Sequence, residues 1–204
     1  MRFSVVGLLA LVGLVSSQDT SLIEVKRTFD NANIPKDLSL RFDPKVLLEV
    51  LLPQAAGTAP ITLHAGVQLE RSQTAGPPTF SAVGLPTTKK GPFVIAAVDP
   101  DAPTPQTPTS AQIRHFLGGN FFVEGTKLVN RTAAISAYRQ PTPPAGSPAH
   151  RYIFLLYEQS AAFAQQTLVT PATSIALFNI SSFASQVGLG DPIAGTFMLV
   201  APAP

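Results

Sequence analysis

Phe93-Val94-Ile95-Ala96-Ala97-Val98 runs without a polar residue into Asp99-Pro100-Asp101-Ala102-Pro103. A short apolar run bounded by turn residues reads as a strand buried on both faces, which needs a layer of protein above and below it. Pro100 has no N–H to give a ladder, so the strand is expected to end at Asp99. The same proline holds Asp99 extended. If the extension continues through Asp101, the two carboxylates project to one side. Carboxylates at the end of a buried strand are costly unless they are paired, so this stretch points to partners elsewhere in the chain.

The remaining segments fit an all-β domain. Val46 to Leu52, Phe80 to Leu85, Ile113 to Val123, Tyr152 to Tyr157 and Thr196 to Val200 read as strands. Ile61 to Leu69 alternates apolar and polar positions and reads as one half-buried strand, with His64 on the outer side. Gly118-Gly119 marks a bulge or a close backbone approach within its strand. Helical spacing is confined to Ser21 to Ala32, to Ser160 to Leu168, and to Ile180, Phe183, Ala184 and Val187, with Asn179 as N-cap and Gly188 past the end. Short strands with turn signals between them lead to a two-sheet antiparallel β-sandwich with a few peripheral and C-terminal helices.

Met1-Arg2, the apolar Phe3 to Val15 and then Ser16-Ser17 read as a secretory signal peptide. The expected layout is a leader over residues 1–17 and a single domain over 18–204, secreted or in the secretory-pathway lumen. Later segments are too short or too polar to span a bilayer. The chain has no cysteine, so burial alone must hold it together and thiol chemistry is excluded. A formal net charge of +2 with scattered basic residues gives no stripe for nucleic acid. Asn130-Arg131-Thr132 and Asn179-Ile180-Ser181 match the N-glycosylation pattern. Asn130 is the expected acceptor, because a cap role engages the side chain of Asn179.

Asp99-Pro100-Asp101-Ala102-Pro103, His115-Phe116 and His150-Arg151-Tyr152-Ile153-Phe154-Leu155-Leu156-Tyr157-Glu158-Gln159 follow one another in an order and spacing that resemble the phosphatidylethanolamine-binding protein family, including its secreted fungal members. The resemblance implies two antiparallel sheets and a small pocket for phosphate-like head groups. Its lining would be Asp99, Asp101, His115, His150 and Tyr152, and Pro141 and Gly146 would lie in a proline-rich rim. Arg114 and Gln140 depart from the family's usual residues, which bears on the pocket's edge and selectivity.

Two of the chain's three histidines lie in these motifs. Period-two alternation puts His150 with Tyr152 and Phe154, and His115 with Ile113 and Leu117. Arg151 falls opposite His150, where an ion pair with Glu158 or Asp99 is expected. The residues alone fit two sites. In one, imidazoles and the Tyr152 hydroxyl donate to an anion; in the other, two histidines and a carboxylate hold a metal such as iron. The resemblance favours the first. No Gly-x-Ser-x-Gly elbow is present, and Ser147 has no evident base in the sequence.

The leading reading is a non-enzymatic binding protein for an anionic small molecule or phospholipid head group, with no cofactor. The alternative is an inhibitor of a serine carboxypeptidase or other serine protease, a role some fungal relatives have. A metal-dependent enzyme ranks third.

Overall fold

The computed structural model describes residues 18–203, so the expected leader lies outside the described residues. Ser21 caps α1 (Leu22–Asn31), its hydroxyl accepting the Glu24 N–H at 3.3 Å. Asn33, in the left-handed region at φ 55°, breaks the helix and leads into α2 (Ile34–Asp37). There follow β1 (Leu47–Leu52), β2 (Ile61–Thr62), β3 (Val67–Leu69), a 3-10 turn at Arg71–Thr74, β4 (Thr79–Val83), β5 (Phe93–Asp99), β6 (Ile113–Glu124) and β7 (Lys127–Asn130). The chain continues through β8 (His150–Glu158), α3 (Ala161–Ala164), α4 (Ile180–Gln186) and β9 (Ala194–Val200).

The strands form one mixed sheet of nine, ordered β2-β1-β4-β7-β6-β5-β8-β9-β3. All pairs are antiparallel except β3 with β9. The expected two-sheet sandwich is therefore a single sheet that curls on itself. The curl brings β1 back toward β9, and the Lys45 N–H donates to the Ile193 carbonyl at 2.7 Å just ahead of β9. Val50, Phe80, Ile95, Phe116, Phe154 and Met198 fill the inside of the curl. Alternation along each strand is the same for two facing sheets as for one sheet folded over, so the pattern alone does not separate them.

The outer face of the central strands carries a second core. Val94, Ala96, Val98, Ile153 and Leu155 pack against Val25 and Phe29 of α1, Phe163 of α3 and Phe183 of α4. The Phe29 ring stacks on Phe42 at 3.9 Å and meets the edge of Phe197 at 5.4 Å. Burial of each such side chain contributes about 1.5–3 kcal/mol. Every residue of β5 is buried, as an apolar run sandwiched between two cores requires, and the strand ends at Asp99.

Two β-bulges interrupt the pairing of β5 with β6. Ala97 pairs with Phe116 but Val98 pairs with Arg114, leaving His115 as the extra residue of the first. Phe93 pairs with Phe121 and Ile95 with Gly118, so Gly119 and Asn120 form the second, at the expected glycine pair. A side chain at Gly119 would meet the Phe163 ring at 2.3 Å. The segment Ile61 to Leu69 is not one strand. It turns at Gly66, at φ 87°, so that β3 can pair with β9.

Candidate functional site

The C-terminal end of β5, the bulge of β6, the start of β8 and the segment 139–144 enclose a cavity of about 530 Å³. Asp99, His115, His150 and Tyr152 line it together with Arg139, Gln140, Thr142 and Pro144, and Ile113 and Ile175 supply apolar wall. Four of the seven residues expected from the sequence thus converge.

His115 reaches the cavity because of its bulge. Regular alternation would pair it with Leu117, which instead lies in the outer core, while Ile113 does share the cavity wall. A bulge inserts one residue and re-aims its side chain. Here it puts His115 and Phe116 both on the inner side and sends Arg114 to the outer one. His115 Nδ1 donates to the Arg139 carbonyl at 2.9 Å, which leaves Nε2 for a ligand. Burial drives the His115 pKa down; the Arg139 carbonyl and Asp99 oppose this without overcoming it, so the ring titrates below its ordinary 6.5.

His150 is held at both ends. Nδ1 lies 2.9 Å from Asp99 Oδ2, and Nε2 lies 2.9 Å from Ser147 Oγ. Burial alone would lower its pKa, but the Asp99 hydrogen bond and charge, with the field of Asp101, outweigh that and raise it above 6.5. Tyr152 stands between the two imidazoles, 4.9 Å from the His115 ring and 6.4 Å from that of His150. Its hydroxyl pKa is raised, first by burial and next by Asp99, while a hydrogen bond from the Thr142 backbone works the other way.

Asp101 does not join the cavity. The Asp101 N–H donates to Asp99 Oδ1 at 2.7 Å, turning the chain immediately after Pro100 and ending the extension that same-side projection requires. The Asp101 carboxylate instead receives the Arg151 backbone N–H at 2.8 Å, its Nε at 3.0 Å and its terminal guanidinium nitrogen at 2.6 Å. Arg151 does lie opposite His150. Its ion pairs are with Asp101 and, at 2.7 Å, with Asp37, not with Glu158 or Asp99. Glu158 pairs with Lys89. This clamp fastens α2 to the start of β8.

Pro141 is buried and Gly146 sits at an exposed turn with φ 81°; neither lines the cavity, though both belong to the segment that borders it. Arg114 is away from the cavity as well. It is buried on the outer side, where it donates to Ser136 Oγ at 2.6 Å and to the Thr173 and Ser174 carbonyls, and lies over the Phe178 ring. Its influence on the site is indirect, through the loop that carries Ile175.

Sequence reasoning missed Arg139 and set Ser147 aside. Arg139 is exposed at the cavity edge, and its guanidinium has neither an ion pair nor a hydrogen bond among the described residues. The signal was its place directly ahead of Gln140 and the proline-rich segment. Ser147 does have an imidazole partner, three residues on, with its hydroxyl 2.9 Å from His150 Nε2. Among the described residues no three His, Cys, Asp or Glu side chains converge to hold a metal ion.

Residues 52–198 match the family described as Phosphatidylethanolamine-binding protein. The chain belongs to that family. A 26 kDa secreted antigen of Toxocara canis is 31% identical over 144 residues, covering 67% of this chain and 51% of the antigen. The chain spans about half the length of the curated relatives it matches. Among solved structures, a carboxypeptidase Y inhibitor complexed with its cognate proteinase superposes with a TM-score of 0.72 at 20% identity, covering 89% of this chain and 97% of the other. A phosphatidylethanolamine-binding protein from Plasmodium vivax superposes with a TM-score of 0.68 at 14% identity, covering 87% and 97%. At such identity these two show the fold. Among the described residues of this family member, no helix is long and apolar enough to cross a membrane.

Proposed function

We propose that this protein binds a small phosphate-like anion, free or as a phospholipid head group, in the cavity between β5, β6 and β8. The observation that carries the reading is the electrostatic arrangement of the lining. The Asp99 carboxylate is engaged by His150, so it offers little repulsion to an anion. Arg139 keeps an unpaired guanidinium at the edge; the remaining donors are the Tyr152 hydroxyl and, once the ring is protonated, His115 Nε2. Charge-assisted hydrogen bonds of this kind are the strong ones, and guanidinium matches phosphate geometry. Asp101, Pro141 and Gly146 act in support, by fixing the strand end and the bordering loop. Calorimetric titration with inorganic phosphate and with phosphoethanolamine tests the reading. Saturable binding that Arg139→Ala weakens supports it, and no heat with either compound contradicts it.

A second reading is inhibition of a serine carboxypeptidase, favoured by the fold shared with the carboxypeptidase Y inhibitor over 89% of this chain. A surface loop or terminus would enter the protease, so His150→Ala is expected to leave inhibition intact. A folded His150→Ala protein that has lost inhibition contradicts the separation of the two activities. Secretion, with Gln18 as the mature N-terminus, is part of the proposal; Met1 found intact on a cytosolic protein contradicts it.

Asn130 remains the proposed glycan acceptor. Its side chain donates to the Gly119 carbonyl at 3.1 Å, so modification must precede folding of that turn. Asn179 is the cap of α4, accepting the Ser182 N–H at 2.8 Å. A mass unchanged by glycosidase, on protein made in a eukaryotic secretory host, counts against both.

A further inference from the structure

The chain Ser147 Oγ–His150 Nε2 and His150 Nδ1–Asp99 Oδ2 has links of 2.9 Å each. Asp99 is 2% exposed, His150 1% and Ser147 9%. Anion binding by Arg139 and His115 does not call for this chain, since it occupies both nitrogens of His150. Its order is that of an activated nucleophile: a hydroxyl on the distal nitrogen of an imidazole whose proximal nitrogen is held by a buried carboxylate. With the proximal N–H directed at Asp99, a neutral His150 presents its lone pair to the Ser147 hydroxyl.

The surroundings supply what such a nucleophile requires. Ser147 lies between Gly146, in a left-handed turn at φ 81°, and Pro148, so its backbone is tightly restricted. Pro148 has no N–H, so an oxyanion cannot be held by the residue after the nucleophile. The Tyr152 hydroxyl, a donor in the adjoining cavity, takes that place. The apolar wall of Ile113 and Ile175 suits a short acyl group, and Arg139 suits an anionic group on the alcohol.

We propose that Ser147 is a nucleophile toward small carboxylic esters, with His150 as its general base and Asp99 as the group that orients the base. Ser147 Oγ bonds to the ester carbonyl carbon as its proton passes to His150 Nε2. The bond from that carbon to the alcohol oxygen breaks, and the alkoxide takes the proton from His150 and leaves as the alcohol. Water then attacks the acyl-serine by the same route, releasing the carboxylic acid and restoring Ser147.

The step requires a neutral imidazole. The groups facing His150 are Asp99, Asp101, His115 and the Pro103 carbonyl, with Arg139 and Tyr152 across the cavity. The acids dominate and raise its pKa above 6.5, so reactivity rises with pH through that higher value. Anion binding runs the other way. The two activities are thus separable, and ester cleavage by Ser147 does not rest on the anion reading.

The test uses the full chain and an alkyl fluorophosphonate probe, from about pH 6 to about pH 8.5, with the adduct located by peptide mass spectrometry and 4-nitrophenyl acetate as substrate. The expected result is an adduct on Ser147 whose rate climbs with pH, absent in Ser147→Ala and slowed at least roughly tenfold in Asp99→Asn. Ser72→Ala, which removes an exposed serine outside the cavity lining, should label as wild type does. A folded wild-type chain without an adduct on Ser147 at about pH 8.5 overturns the proposal, and so does ester cleavage by Ser147→Ala at the wild-type rate. Phosphate binding by Ser147→Ala reports separately on the anion reading.

Discussion

Asp99 Oδ2 lies 2.9 Å from His150 Nδ1, and each partner carries a second bond directed away from the pair: the Asp101 N–H to Asp99 Oδ1 at 2.7 Å, and Ser147 at 2.9 Å from His150 Nε2. The pair is therefore built into the end of β5 rather than left open to a ligand. Because the folded pKa of His150 is raised, its contribution to stability is present in full below 6.5 and is lost as pH rises through the folded value. Asp99→Asn removes the charge that holds the imidazolium. It should destabilise the protein by about 3 kcal/mol below that window and by less above it. Urea denaturation of both proteins across the range checks this; a destabilisation independent of pH would contradict the pairing.

His115 behaves oppositely. Its folded pKa is depressed, so the neutral ring is the form the fold prefers, and its contribution to stability declines as pH falls below 6.5 through the folded value. An anion that binds the protonated ring reverses part of that decline. Anion affinity should thus rise as pH drops below 6.5, and His115→Ala should flatten the profile while weakening binding by about 1.5–3 kcal/mol at low pH. Titrations of wild type and variant at matched pH values measure both effects.

Arg151→Met tests the clamp apart from the cavity. The change leaves Asp101, a buried acid, without its guanidinium and releases Asp37 on α2. Loss of one partner of a buried pair costs about 3–5 kcal/mol, so thermal stability should fall substantially. Phosphate affinity of the folded fraction should stay within about twofold of wild type, since Arg151 lies opposite His150 and does not line the cavity. A large affinity loss without destabilisation would place Arg151 in the site instead.

Gly119→Ala tests the second bulge. The added carbon meets the Phe163 ring at 2.3 Å and Gln159 Oε1 at 2.8 Å, and Gln159 already bonds both the N–H and the side chain of Asn120. Overpacking of this kind costs about 1–3 kcal/mol, read as a shift in the urea midpoint. An unchanged midpoint would mean that α3 is free to move aside.

Much of this arrangement was legible in the residues themselves. The two-faced burial of β5, its end at Asp99 and the Asn179 cap of α4 follow from run length, proline chemistry and helical spacing, and the convergence of Asp99, His115, His150 and Tyr152 follows from the family resemblance. The misses share a cause. A bulge changes which face a residue occupies without changing composition, so the sequence put His115 with Leu117 rather than beside Phe116. A side-chain-to-backbone turn at Asp99 redirected Asp101 to Arg151, and no periodicity records such a turn. Gly66 split an alternating segment that reads as one strand. The hydrogen bond between Ser147 and His150 depends on the path of a loop, which residue types alone do not give. Arg139 acquires its meaning only when its free guanidinium is seen at the edge of the cavity.

Anion binding through Arg139 and His115, with the Asp99 charge neutralised by His150, is tested most directly by calorimetric titration with phosphoethanolamine. The titration is run at about pH 5.5 and about pH 8, in the presence and absence of a chelator. Binding should be tighter at the lower pH, indifferent to chelator, and weakened roughly tenfold or more by Arg139→Ala with the fold intact. Tighter binding at the higher pH, or binding abolished by the chelator, would contradict it and point to a metal held by the histidines.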